Sequence, residues 1–197
     1  MASMKKKHWI MIDILAPIIL KNVEGCVVDI GIGRSTEVLY SHSSRFKREH
    51  FSCDQKRKFC KWINWSYPDI NIFHCKSLDF IKQFPDIPVA IILLDGDHTY
   101  STVIKEVNFF LSKLSPGGVM FIHDTLPSTW QQVHGYICDK PGRKFGRRIT
   151  VLADSYLVRQ ELEQRKELMT FTWPYTAVNV GLTMVMKKEK NVPEFRR

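Results

Sequence analysis

The sequence predicts an α/β fold built on an open, doubly wound and mostly parallel sheet. Short apolar, β-branched runs at Cys26–Ile30, His50–Cys53, Ile70–His74, Val89–Leu94 and Val119–Ile122 alternate with helix-period segments. These runs show little polar alternation, the pattern of parallel strands covered on both faces. The segment Tyr100–Leu114 carries Val103, Val107, Phe110, Leu111 and Leu114 at spacings of three and four, which gives one apolar helix face.

The remaining elements follow from the same cues. Helices are expected over Thr36–Phe46, Gln55–Asn64, Leu78–Gln83 and Asp154–Glu167. Pro116-Gly117-Gly118 ends the long helix and turns the chain into the next strand. Met169–Trp173 and Val178–Lys187, joined at Pro174-Tyr175, read as a hairpin, so the sheet should end with an antiparallel strand. The segment Leu126–Thr150 breaks the rhythm and reads as an irregular or partly helical lid. It contains Pro127, Pro141, Gly142, Gly146 and the basic cluster Lys140, Arg143, Lys144, Arg147 and Arg148.

At the other end, the run Ile10–Leu20 follows Lys5-Lys6-Lys7 and is interrupted by Asp13 and Pro17. It is too short to span a bilayer and is expected to be an amphipathic packing helix within residues 1–22. No other segment could cross a membrane. Without repeats or a linker, 197 residues suit one domain, 1–197.

Composition narrows the function classes. With 44% hydrophobic and 25% charged residues, a soluble globular protein is expected. None of the five cysteines forms a CxxC pair, which removes the usual structural zinc spacing and points to reduced thiols in the cytoplasm. The formal net charge of +9 favours anionic small molecules or nucleic acid as partners. Nothing in the sequence sets an oligomeric state.

In a doubly wound sheet, ligands bind beyond the carboxyl ends of the strands, and three strand ends carry chemistry. The first runs Asp29-Ile30-Gly31-Ile32-Gly33-Arg34-Ser35-Thr36, where two glycines permit a tight turn and close ligand approach. A dinucleotide fingerprint wants a third glycine where Thr36 stands. A carboxylate at Asp29 would repel phosphate but suits a cationic cofactor such as S-adenosylmethionine (SAM). The second strand ends at Asp54, placed to accept hydrogen bonds from vicinal ribose hydroxyls. The fourth ends Asp95-Gly96-Asp97-His98 and the next ends His123-Asp124. Neighbouring strands lie about 5 Å apart, so Asp95, His123 and Asp124 can converge on a divalent ion such as Mg²⁺ or Mn²⁺. Asp97 or His98 can then serve as general base on a substrate hydroxyl.

The first motif, with Leu94-Asp95-Gly96-Asp97-His98-Thr99-Tyr100 and Ser115-Pro116-Gly117-Gly118-Val119-Met120-Phe121-Ile122-His123-Asp124, resembles the class I methyltransferases. The resemblance covers Val23–Asp124 and, more loosely, the closing hairpin. Within that class it looks most like the macrolide-sugar and aminocoumarin-sugar O-methyltransferases and the cephalosporin-hydroxylase-like proteins. It implies a Rossmann-like, seven-stranded sheet whose last strand is antiparallel. It implies that Gly31, Gly33 and neighbours such as Ser35 pass under the methionine part of SAM, with Asp54 on the ribose and Ser77 by the adenine. Lys76 stands where the family often has an acid. The metal-dependent members place carboxylates at the positions of Asp95, His123 and Asp124, and here a histidine replaces one. The position of Asp97 or His98 matches the proposed base.

No Asn/Asp-Pro-Pro-Tyr/Phe motif and no Pro-Cys pair is present, which favours oxygen as the acceptor atom. The function expected is therefore SAM-dependent methylation of a hydroxyl on a small, anionic acceptor such as a sugar derivative. An RNA- or nucleotide-directed methyltransferase and a non-catalytic protein keeping the fold are the alternatives.

Overall fold

The computed structural model describes residues 9–126, 136–137, 148–149, 155–174 and 181–188. In chain order the elements are α1 (Ile10–Asn22), β1 (Cys26–Ile30), α2 (Arg34–Arg45), β2 (His50–Cys53), α3 (Arg57–Ser66), β3 (Ile70–Phe73), α4 (Ser77–Gln83), β4 (Val89–Leu94), α5 (Tyr100–Lys113) and β5 (Leu114–His123). There follow β6 (Tyr136–Ile137), β7 (Arg148–Ile149), α6 (Ser155–Gln164), β8 (Leu168–Trp173) and β9 (Leu182–Lys187).

Seven strands form one sheet in the order β3-β2-β1-β4-β5-β9-β8. β1 to β5 pair in parallel, and β9 pairs antiparallel with both β5 and β8. The reversal expected from the hairpin is therefore carried by β9, which sits between β5 and β8. The order reverses between β1 and β4, and a cleft opens there at the carboxyl ends.

The strand runs are apolar because both faces are covered. Val27, Ile91, Leu93, Val119 and Phe121 face a cluster with Ile12, Ala16 and Leu20 of α1 and Leu39 of α2. Val28, Ile30, Ile92, Leu94, Met120 and Ile122 face the other way, onto Phe80 and Phe84, the α5 residues Val103, Val107 and Phe110, and Val158 and Leu162 of α6. A third cluster, around Ile32, Cys60, Ile63 and Ile70, seats α3.

Two expectations are corrected. The Pro116-Gly117-Gly118 turn does not precede β5 but lies inside it. Leu114 already pairs with Val89, and the next pair is Ile91 with Val119, so Ser115–Gly118 bulges out of the ladder. The N-terminal helix is not polar on its outer side. It buries Ile12, Ala16, Ile19 and Leu20 while Ile10, Ile14 and Ile18 are exposed.

Within the expected lid, residues 136–137 and 148–149 form a two-stranded antiparallel ladder. The rest of the basic cluster, the turn at Tyr175 and the lysines at 5–7 lie outside the described residues. No helix of the described residues is long and apolar enough to cross a membrane.

Candidate active site

The glycine loop is fixed where β1 and β4 end. Gly31 has φ +97°, and a Cβ there would stand 2.1 Å from the Asp95 carbonyl oxygen. Its N–H donates to the Cys53 carbonyl (2.9 Å), and the Asp95 N–H donates to the Ile30 carbonyl (2.8 Å). Both the conformation and the close approach therefore demand glycine. Gly33 differs. Its φ of −163° is ordinary extended backbone, and a Cβ there would meet nothing within 4 Å.

Beyond Gly33, Thr36 ties the loop to the strand. Its hydroxyl accepts from the Gly33 N–H (3.0 Å) and donates to Asp29 Oδ2. Asp29 is fully buried, and its Oδ1 has no hydrogen-bond partner among the described residues. Burial holds the Asp29 carboxyl well above its ordinary pKa. The Thr36 hydrogen bond pulls it down, and the nearby Asp95 and Asp54 charges add to the rise.

A cavity of about 590 Å³ lies against this loop, within the usual size of a small-ligand site. Gly31, Gly33, Asp54, Ser77, Asp95 and Asp97 are in its wall, with Lys56, Phe59, Leu78 and Thr102. Asp54 braces the entrance of α3. Its Oδ2 accepts from the Ile32 N–H (3.1 Å) and its Oδ1 from the Lys56 N–H (2.6 Å). Each oxygen keeps a lone pair for a ligand hydroxyl. Asp29 and Ser35, expected on the cofactor, are not in the wall but wholly buried behind it. A loop that leaves space at Gly33, a carboxylate at Asp54 and the Asp95 carboxylate in the same wall form a cradle that fits SAM.

The proposed metal ligands do come together, as an ion-pair cluster. His123 Nδ1 is 2.8 Å from Asp95 Oδ1 and 2.8 Å from Asp124 Oδ1. Burial alone would lower the His123 pKa, but hydrogen bonds to Asp124 and Asp95, and their charges, raise it to about 10. In its protonated form the imidazole is the cation between the two carboxylates, and a divalent ion there would take the place of that proton. Among the described residues no group of three or more His, Cys, Asp or Glu side chains is arranged to hold a metal ion. The three side chains expected to hold Mg²⁺ or Mn²⁺ thus stand together here as an acid–histidine–acid ion-pair cluster.

The two candidate bases separate in role. Asp97 is exposed, and its carboxylate accepts from the Thr99 N–H (2.9 Å) and the Thr102 hydroxyl (3.3 Å), which ties it to the start of α5. His98 lies with Nε2 3.4 Å from Asp124 Oδ2. Asp124 turns out of β5 at φ +60°, its N–H held by the Gly181 carbonyl (3.0 Å). Trp9, immediately before α1, packs against His123 with ring centroids 4.8 Å apart and the rings tilted by 41°.

Sequence reasoning missed four contributors. Trp9 gave no signal, because its contact spans most of the chain. Lys56 and Phe59 follow Asp54 directly and were within reach of the strand-end rule. Glu106 interrupts the apolar face of α5 between Val103 and Val107, a visible break in the pattern.

A sheet in this order, with a glycine loop and cavity at its switch point, defines the SAM-dependent methyltransferase architecture. The chain carries a methyltransferase domain, and its fold is that of the class I SAM-dependent methyltransferases. The family model described as a methyltransferase domain matches residues 28–125, which is where the loop, Asp54 and both acidic strand ends lie. Among curated proteins, none matches the chain by sequence.

Solved structures share the fold at low identity. An O-methyltransferase from Bacillus cereus, in complex with SAH, is 13% identical with a TM-score of 0.67, covering 92% of this chain and 81% of that one. TomG, an O-methyltransferase from Streptomyces achromogenes involved in tomaymycin synthesis and bound to SAM, is 12% identical with a TM-score of 0.65 (93% and 80% covered). An rRNA methylase from Streptococcus thermophilus is 12% identical with a TM-score of 0.58 (91% and 95% covered).

Proposed function

We propose that this chain, as one domain over residues 1–197, transfers the methyl group of SAM to a hydroxyl of a small molecule such as a sugar or sugar derivative. The observation that carries this reading is the pairing of His98 with Asp124 beside the Asp95 end of the cavity. The O-methyltransferases among the fold's relatives support it, as does the resemblance to the sugar O-methyltransferases.

SAM, when bound, supplies an electrophilic methyl on a sulfonium. Gly31 and Gly33 run under its methionine part, Asp54 takes the ribose hydroxyls, Ser77 meets the adenine, and Asp95 faces the ammonium. Asp29 and Ser35 support the loop from behind. As the acceptor oxygen bonds to the methyl carbon and the carbon–sulfur bond breaks, His98 takes the hydroxyl proton and Asp124 steadies the imidazolium. Asp97 holds the loop that carries His98. The basic residues of 126–150 cover an anionic acceptor.

The test is methyl transfer to a panel of sugars and nucleotide-linked sugars, with calorimetry of SAM binding alongside. His98→Ala should slow transfer by about a hundredfold or more with SAM affinity unchanged. An unchanged rate would refute the assignment of the base, and no SAM binding to the parent protein would refute the cofactor reading.

RNA as the acceptor is the second reading. It is favoured by Lys58, Lys61 and Trp65, all exposed on α3, with Trp65 86% exposed, and by the rRNA methylase among the relatives. A steep fall of RNA affinity with salt would support it.

A further inference from the structure

Glu106 lies on the inner face of α5 with Val103, Val107 and Phe110 and, like them, is shut off from solvent at 0% exposure. Neither of its oxygens has a hydrogen bond of good geometry among the described residues. A carboxyl buried in this way is costly and calls for an explanation. Val103, Val107 and Phe110, the buried residues that share its helix face, are apolar members of the core. The polar group beside it is the hydroxyl of Ser77, the first residue of α4 and part of the cavity wall. Thr102, one turn earlier on the same face of α5, is also in the wall. Glu106 therefore stands behind the Ser77 side of the cavity, the part assigned above to adenosine.

We propose that Glu106 is a positioning residue that sets the hydrogen-bonding sense of Ser77 towards the cofactor. When Glu106 is ionised, the Ser77 hydroxyl donates to it and presents only its lone pairs to the cavity. When Glu106 is protonated, it donates to Ser77 Oγ and frees the Ser77 O–H to donate to a ligand. Adenine offers an amino donor on one edge and ring-nitrogen acceptors on others, so the two states recognise it differently. The inference rests on the reading that this cavity holds SAM with its adenine at Ser77.

The surroundings place the switch near neutrality. Burial raises the Glu106 pKa, the Ser77 hydrogen bond lowers it and the Asp97 charge raises it, to about 7. Among the described residues, Asp97 is the charged group that acts on it. On α4, Asp79 and Lys82 are paired with each other, and on α6, Glu161 and Arg165 are paired with each other.

The experiment is calorimetric titration with SAH between pH 5.5 and 8.5 of the parent protein, Glu106→Gln and Ser77→Ala, with melting curves to confirm folding. In the parent, affinity should change by about tenfold across an inflection near pH 7, the effect of one hydrogen bond gained or lost. In Glu106→Gln, which has the same shape and no titration, the profile should be flat. In Ser77→Ala, which removes the relay while leaving Glu106 in place, it should also be flat. A flat parent profile, or an inflection that survives either substitution, overturns the proposal and leaves the cofactor reading intact. Absence of SAH binding at every pH overturns both.

Discussion

Replacing Gly31 with alanine asks an L-residue to adopt φ +97° and drives a Cβ to 2.1 Å from the Asp95 carbonyl oxygen. The backbone term is about 1–3 kcal/mol. The clash is with main chain, which cannot swing aside like a side chain, and overpacking of this kind adds about 1–3 kcal/mol. The sum, about 4 kcal/mol, is a large part of the 5–15 kcal/mol that holds a typical domain together. Gly33→Ala is the matched control. With φ −163° and no atom within 4 Å of the new methyl, stability should stay within about 0.5 kcal/mol. That methyl would enter the space beside the loop, so SAM affinity should fall about tenfold or more. Urea unfolding gives the first quantity as a midpoint shift at constant slope, and calorimetry gives the second. A Gly31→Ala protein as stable as the parent, or a Gly33→Ala protein that loses stability and keeps its affinity, would refute this division between a glycine needed by the fold and one needed by the ligand.

Two further outcomes are expected. Asp54→Ala removes the acceptor of both the Ile32 and the Lys56 N–H groups, so it should lower urea stability by about 2 kcal/mol as well as weaken SAM binding. Asp54→Asn, which keeps one acceptor oxygen, should do less of both. His50 is wholly buried, and desolvation lowers its pKa from 6.5 to about 3. Below pH 6.5 the unfolded chain therefore gains a proton that the folded chain refuses, and stability should fall by up to about 1.4 kcal/mol per pH unit towards pH 3. His50→Asn should flatten denaturation midpoints over that window, and an unchanged slope would refute the assignment.

The sheet was legible where burial on both faces left the sequence uninterrupted. β1, β2 and β4 have the limits read from their apolar runs. β5 was not fully legible. Pro116-Gly117-Gly118 announces a turn, but only pairing of Leu114 with Val89 reveals that the chain leaves and rejoins the same ladder. α3 begins at Arg57, past the expected Gln55, because Asp54 first captures the Lys56 N–H. In the site, the strand-end rule located the acids and histidines, since parallel strands bring their carboxyl ends together. Which of them pair is decided across strands. The convergence of Asp95, His123 and Asp124 was legible from adjacent strand ends, whereas the His98–Asp124 pair and the Trp9–His123 contact depend on distances that local spacing does not encode.

The insertion of β9 between β5 and β8 divides the site in time as well as in space. Strands β1 to β4 and helices α2 to α5, which build the glycine loop, Asp54 and Ser77, are all translated by residue 113. Asp124, in contrast, is anchored through its N–H to Gly181, and β5 keeps an open edge until Leu182–Lys187 arrives to pair with it. A nascent chain can therefore form the glycine-loop half of the cleft well before the Asp124 end is locked. Until β9 docks, the edge of β5 offers unpaired N–H and C=O groups to any passing strand. Docking of β9 both fixes the Asp124 end of the cleft and closes that aggregation-prone edge.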